Sequence, residues 1–169
     1  MNNFLFELIG TAFLILLGDG VVANVVLNKT KGHNSGWIVI TFGWAIAVFV
    51  GVYVAAAHSG AHLNPAVTLA LAVADKFDWA LVPVQIAGQF CGAMLGALLV
   101  WVTYKKHFDE TEDADAKLAV FCNSPAIPNI PFNLATEIIG TFALVFGVLF
   151  ITGADAGLRS LDALPVALL

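Results

Sequence analysis

Four apolar stretches, residues 4–27, 37–57, 79–103 and 133–152, are each long enough to carry an α-helix across about 30 Å of hydrocarbon. A fifth begins near Leu161. Only 11% of the residues are charged, against 60% hydrophobic, with a mean hydropathy of +0.90. A water-soluble domain carries about 25% charged residues to cover its surface, so the solvent expected here is lipid. The chain enters its first apolar run directly after Met-Asn-Asn, without a basic leader, and this run reads as a retained span rather than a signal peptide. The net charge of −5 is concentrated in one stretch holding Asp109, Glu110, Glu112, Asp113 and Asp115. That stretch reads as a solvated loop, and no basic patch offers a surface to nucleic acid.

Between the second and third spans lies His-Ser-Gly-Ala-His-Leu-Asn-Pro-Ala-Val-Thr, residues 58–68, followed by an apolar run that ends at Asp75-Lys76. A helix over residues 65–74 would be about 15 Å long, half the hydrocarbon thickness. Irregular backbone at membrane depth survives only where protein buries it or a watery cavity meets it. The segment therefore predicts a re-entrant half-helix and a pore. Pro65 suits the first helical position, where its missing N–H would have no partner, and Asn64 is a strong N-cap. An Asn that accepts a backbone N–H keeps its NH2 group as an outward donor. The carbonyls of Gly60, Ala61, His62 and Leu63 would supply acceptors beside it, and the positive helix end disfavours cations.

Other features concern packing. Gly88, Gly92 and Gly96 recur at four-residue spacing in the third span, as in helices that approach closely. Glu7 and Glu137 are carboxylates inside apolar spans, where such residues face the bundle interior and a partner. Asp19, Gln85 and Gln89 read as interior polar groups satisfied across helices, with no assigned role. Cys91 reads as a buried thiol and Cys122 as a loop thiol, neither with metal-ligand spacing. His58 and His62 are four apart, but Gly60 lies between them and no third ligand is near, so no metal and no cofactor are expected. Residues 6–14, Phe-Glu-Leu-Ile-Gly-Thr-Ala-Phe-Leu, align with residues 136–144, Thr-Glu-Ile-Ile-Gly-Thr-Phe-Ala-Leu, at an offset of 130. Three spans separate the two copies, so the second unit enters the membrane inverted.

The run from Ser59 to Thr68 resembles the first pore loop of the aquaporin and aquaglyceroporin family, and the two aligned segments resemble its repeat starts. The resemblance covers essentially the whole chain, with the first repeat and the start of the second. It implies an all-α membrane protein with an inverted repeat of three spans plus a re-entrant half-helix, six spans and two half-helices when complete. Residues 1–104 would be the first repeat, 105–132 an extramembrane connection, and 133–169 the start of the second. Trp44, twenty residues before Asn64, is similar to the Trp found there in bacterial glycerol facilitators, where water-selective members have Phe. By that likeness Trp44 and Val48 line the pore, with Trp44 the apolar wall of the constriction. Asn64, Pro65 and Ala66 carry the solute-facing motif. Glu7 braces the Asn64 loop, and Glu137 braces a second one.

The implied function is passive diffusion of glycerol and other small uncharged solutes, with water, through a homotetramer in the cell membrane of a bacterium. It involves no catalysis. A water-selective channel and an ion-coupled inverted-repeat transporter are the alternatives. The resemblance also places the N-terminus in the cytoplasm. That leaves Lys76 and Arg159 inside, against Lys29, Lys31, Lys105, Lys106 and Lys117 outside, the reverse of the positive-inside rule.

Overall fold

The computed structural model describes residues 2–150 together with Ala167 and Leu168. The helices are α1 (Asn3–Val26), α2 (Trp37–Ser59), α3 (Pro65–Val73), α4 (Val82–Thr103), α5 (Lys105–Glu110), α6 (Ala114–Ala119) and α7 (Ile130–Phe150). There is no strand among the described residues. α1, α2 and α7 are long and apolar enough to cross a membrane, as is α4 with the 3-10 turn that precedes it. α3, with nine residues, is about 14 Å long and is not. The fifth apolar stretch falls outside the described residues.

α1 lies between α2 and α4 and makes most of its contacts with them. The glycine row of α4 sets one of these interfaces. A Cβ on Gly88 would stand 2.6 Å from the Phe4 carbonyl oxygen, and one on Gly96 would stand 2.7 Å from that of Ala12; on Gly92 it would overlap the Leu8 carbonyl. Residues 88, 92 and 96 therefore run along residues 4, 8 and 12, each pair one turn from the next. On the α2 side a Cβ at Gly51 would come within 2.9 Å of the Gly10 carbonyl, and Gly18 accommodates the Trp44 ring. The opposite faces carry exposed Phe42, Ile46, Phe90, Met94 and Leu98, as lipid contact requires.

α3 begins and ends on local signals. Asn64 caps it with Pro65 in the first turn. At its end Asp75 adopts a left-handed conformation (φ 55°), while the Lys76 N–H returns to the Leu71 carbonyl at 2.8 Å and the Asp75 N–H to that of Ala72 at 3.2 Å. This is a Schellman stop with Asp where Gly is usual.

Three expectations are corrected. The 105–132 connection is more than a solvated loop, because it contains α5 and α6. Asp113 caps α6 by accepting from the Asp115 and Ala116 N–H groups, while Phe108 and Val120 join Ala23, Leu27 and Val100 in a buried cluster. The apolar Phe108 and Val120 on either side of the acidic run were the overlooked signal. The fourth span starts at Ile130 rather than near residue 133, because the Asn129 side chain accepts from the Phe132 N–H and Pro131 fits the first turn. Cys91 is exposed on α4 instead of buried, its apolar neighbourhood being one that lipid supplies.

The cap formed by α5 and α6 sits over the α1–α2 turn. Asn28 N–H donates to Thr111 Oγ1 at 2.9 Å, His107 Nδ1 meets the Asn28 carbonyl at 3.0 Å, and Lys29 pairs with Glu110. These two connections thus share one face of the bundle. On the other face Lys76 Nζ donates to the Leu149 carbonyl in the last turn of α7, where the helix dipole favours a cation.

Candidate functional site

The segment joining α2 to α3 has backbone that an L-residue rarely adopts: Gly60, Ala61 and Leu63 have φ of 85°, 50° and 53°. Only the first is glycine, so two positions cost on the order of 1–3 kcal/mol each. What offsets this is Glu7, fully buried on α1. Its Oε1 accepts from Ser59 Oγ at 2.6 Å and from the His62 N–H at 3.0 Å; its Oε2 accepts from the Leu63 N–H at 2.8 Å and from Gln89 Nε2 at 2.7 Å. Four donors fill the lone-pair sites of a carboxylate. Ser59 Oγ in turn accepts from the Ala61 N–H at 3.2 Å.

A planar trans peptide points its C=O opposite to its N–H. With the N–H groups of Ala61, His62 and Leu63 directed at Ser59 and Glu7, the carbonyls of Gly60, Ala61 and His62 face away from them as a row. At the end of the row Asn64 is extended (φ −150°, ψ 126°), and its Oδ1 accepts from the Ala66 N–H at 2.8 Å. The NH2 group of Asn64 is left without an acceptor among the described residues. Ala66 occupies the first turn of α3 behind Pro65, where its N–H takes up that cap bond.

His62 is held on three sides. Besides its backbone bond to Glu7, its Nδ1 lies 3.1 Å from Thr68 Oγ1 and its ring meets the edge of Phe77 with centroids 4.5 Å apart. Thr68 is fully buried and also receives Gln89 Nε2 at 2.9 Å. Ser59, Thr68, Gln85 and Gln89 are therefore part of the loop's support. A glutamine pair at four-residue spacing in an apolar span signalled an interior network, but which loop it served required the tertiary packing. Asp19, read beside them, is buried without a hydrogen-bond partner among the described residues.

Trp44 and Val48 lie one turn apart on α2 and line a cavity of about 960 Å3 with Val22, Val25, Trp37 and Ile40. Ala119 and Asn123 of the cap segment line it too, as does Leu144 of α7. None of residues 58–66 lines this cavity, so among the described residues it does not bring Trp44 and the Asn64 loop together. Glu137 is placed differently: it lies on an exposed face of α7 with no side-chain hydrogen bond among the described residues.

The major intrinsic protein pattern matches residues 1–169. The probable glycerol uptake facilitator protein of Thermotoga maritima is 56% identical over 169 residues, which is all of this chain and 72% of that protein. The glycerol uptake facilitator protein of Bacillus subtilis is 46% identical, again over all of this chain and 61% of its own length. Among solved structures, the aquaglyceroporin from Plasmodium falciparum superimposes with a TM-score of 0.85 at 30% identity, over 99% of this chain and 68% of that one. The chain thus spans roughly two thirds of the relatives it matches. With its all-helical bundle and half-length α3, it is a multi-pass membrane protein that belongs to the major intrinsic protein family.

Proposed function

We propose that the protein forms a passive channel for glycerol and other small uncharged solutes, with water, and that it excludes ions and protons. The observation that carries this reading is the Asn64 side chain. Its oxygen is committed to the Ala66 N–H, so its NH2 group is a fixed donor, standing where the carbonyl row of residues 60–62 ends. A neutral hydroxyl meets acceptors and then a donor, so it exchanges its hydration stepwise. A cation meets the positive end of α3 and an amide that repels it.

Trp44 favours polyols over water alone as the solute, since an apolar ring beside a cavity gives a carbon backbone a surface to slide along. The names of the facilitator relatives support the same choice. An ion-coupled transporter would need charged or ion-coordinating side chains in the loop, which instead offers an amide and carbonyls. The organisation we propose is a first unit over residues 1–104, a connection over 105–132 and an inverted second unit from 133. In it Glu137 awaits a second loop, and the protein assembles as a homotetramer. Glu7, Gly60, Ala61, His62, Leu63, Asn64, Pro65 and Ala66 form the loop and its brace, while Trp44 and Val48 form the facing wall.

The test is stopped-flow light scattering on proteoliposomes holding the full-length protein. Rapid shrinkage in an impermeant osmolyte followed by rapid re-swelling in glycerol, unaffected by collapsing ion gradients, is the expected result. Rapid shrinkage alone would make it a water channel and overturn the reading of Trp44.

A further inference from the structure

Four consecutive peptide planes form the loop from Ser59 to Leu63, and each is clamped. Glu7 holds the last two and Ser59 Oγ the second. The first, between Ser59 and Gly60, is held at both ends: the Gly60 N–H donates to the Ala56 carbonyl at 3.2 Å, and from α4 Gln85 Nε2 donates to the Ser59 carbonyl at 3.1 Å. That carbonyl belongs to the last turn of α2, where no intrahelical donor remains. Gln85 is fully buried, and its Oε1 accepts from Asn3 Nδ2 at 3.1 Å. Asn3, half-buried, is the first residue of α1.

We propose that Gln85, oriented by Asn3, is a positioning residue for polyol selectivity, an inference that rests on the channel reading above. An amide has a donor end and an acceptor end, and Gln85 is useful only with its NH2 toward Ser59. Asn3 supplies the donor that fixes this sense. The Ser59–Gly60 plane, held away from the row, then fixes where the Gly60, Ala61 and His62 carbonyls begin. Glycerol depends on that register more than water does, because its hydroxyls are joined by a carbon chain and must meet several acceptors at once. A water file adjusts one molecule at a time.

The chemistry of position 3 separates orientation from packing. Asn3→Asp keeps the shape but cannot donate. Its carboxylate bonds Gln85 only if the amide reverses, which sets Oε1 against the Ser59 carbonyl. Asn3→Ala removes the partner but leaves Gln85 free to keep donating to Ser59. An orientation role therefore makes Asp the worse substitution, and a packing role makes Ala the worse one. Asp near the start of α1 also favours the helix dipole, so folding is retained.

In proteoliposomes of the full-length protein, Asn3→Asp is expected to lower the glycerol-to-water permeability ratio roughly fivefold. Its water permeability and melting temperature should match the parent protein, and Asn3→Ala should stay within about twofold. Gln85→Met, similar in volume without either polar end, should lower the glycerol-to-water ratio as Asn3→Asp does, but with a lower melting temperature because the Ser59 carbonyl is left unpaired. A parental ratio in Asn3→Asp, Asn3→Ala as the more damaging variant, or equal losses of water and glycerol would each overturn the inference while leaving the channel reading intact. A parent protein that passes water but no glycerol would overturn both.

Discussion

Glu7 joins α1 to a loop more than fifty residues away through bonds of 2.6 to 3.0 Å, and Gln89 brings in α4 at 2.7 Å. Glu7→Gln exchanges one acceptor oxygen for an NH2 group that faces two donors, whichever way the amide turns. A buried donor left unpaired costs about 1–3 kcal/mol, so the variant should lose about 3 kcal/mol or more. A lowered melting temperature of the solubilised protein, with reduced glycerol flux, would show it; unchanged stability would remove Glu7 as the anchor of the strained loop. Trp44→Ala belongs to the same scale. It should leave water flux intact and narrow the gap between glycerol and longer polyols, read as their permeability ratios. Asn64, Pro65 and Glu7 were legible in the sequence because each is a residue type with one strong reason to be where it is. Ser59 and Thr68 were not, since a hydroxyl in a small-residue run has many uses and its partners here are 52 and 21 residues distant.

At the scale of elements, spacing carried most of the information. The spans and the half-helix matched expectation to within a few residues because apolar runs of fixed length, bounded by Pro, Asn and charged residues, leave few alternatives. The glycine row told of close approach but not of the partner; that it runs along α1 is a tertiary fact. Gly92→Ala should cost about 1–3 kcal/mol, because the new methyl meets the Leu8 backbone rather than a movable side chain. Gly20→Ala, with open space around it among the described residues, should be neutral or gain up to about 1 kcal/mol from helix propensity. Thermal unfolding of the two variants side by side tests the register, and equal effects would refute it. The cap behaves differently because its ion pairs are exposed. Lys105 holds the Asp109 carboxyl below the usual carboxylate range, and Lys29 does the same for Glu110, in each case chiefly by a hydrogen bond. Groups depressed in the folded state contribute above their unfolded values, about 3.9 and 4.3, and lose that contribution as pH falls through the folded values. Protease sensitivity of the cap should therefore be flat from about pH 5 to 8 and rise only below about pH 4. A rise already within about pH 5 to 8 would mean that these two carboxylates do not set the pH response of the cap.

For the whole molecule, the arrangement of faces is the consequence that spans every element. The α1–α2 turn and the cap are hydrogen-bonded to one another, so they share a side of the membrane, and the turn carrying Lys76 and Asp78 lies across from them. Which side is which divides two rules. The resemblance to the aquaporin family puts the cap outside, whereas the tally of basic residues puts it inside. The tally samples only the loops of a chain that spans 72% of one facilitator relative and 61% of another, while the family likeness rests on the fold itself, in which the entry direction of α1 decides the direction of every later helix. We therefore expect the family orientation. With Cys91 and Cys122 replaced by Ser, single cysteines at Ser124 and at Asp78 give the test in intact cells. A membrane-impermeant maleimide should label position 124 at once and position 78 only after permeabilisation. The reverse pattern would mean that the lysines at 29, 31, 105, 106 and 117 direct insertion, and that solute enters the Trp44 side of the pore from the cytoplasm. Labelling of both positions from one side would contradict the bundle itself, because α4 crosses between them.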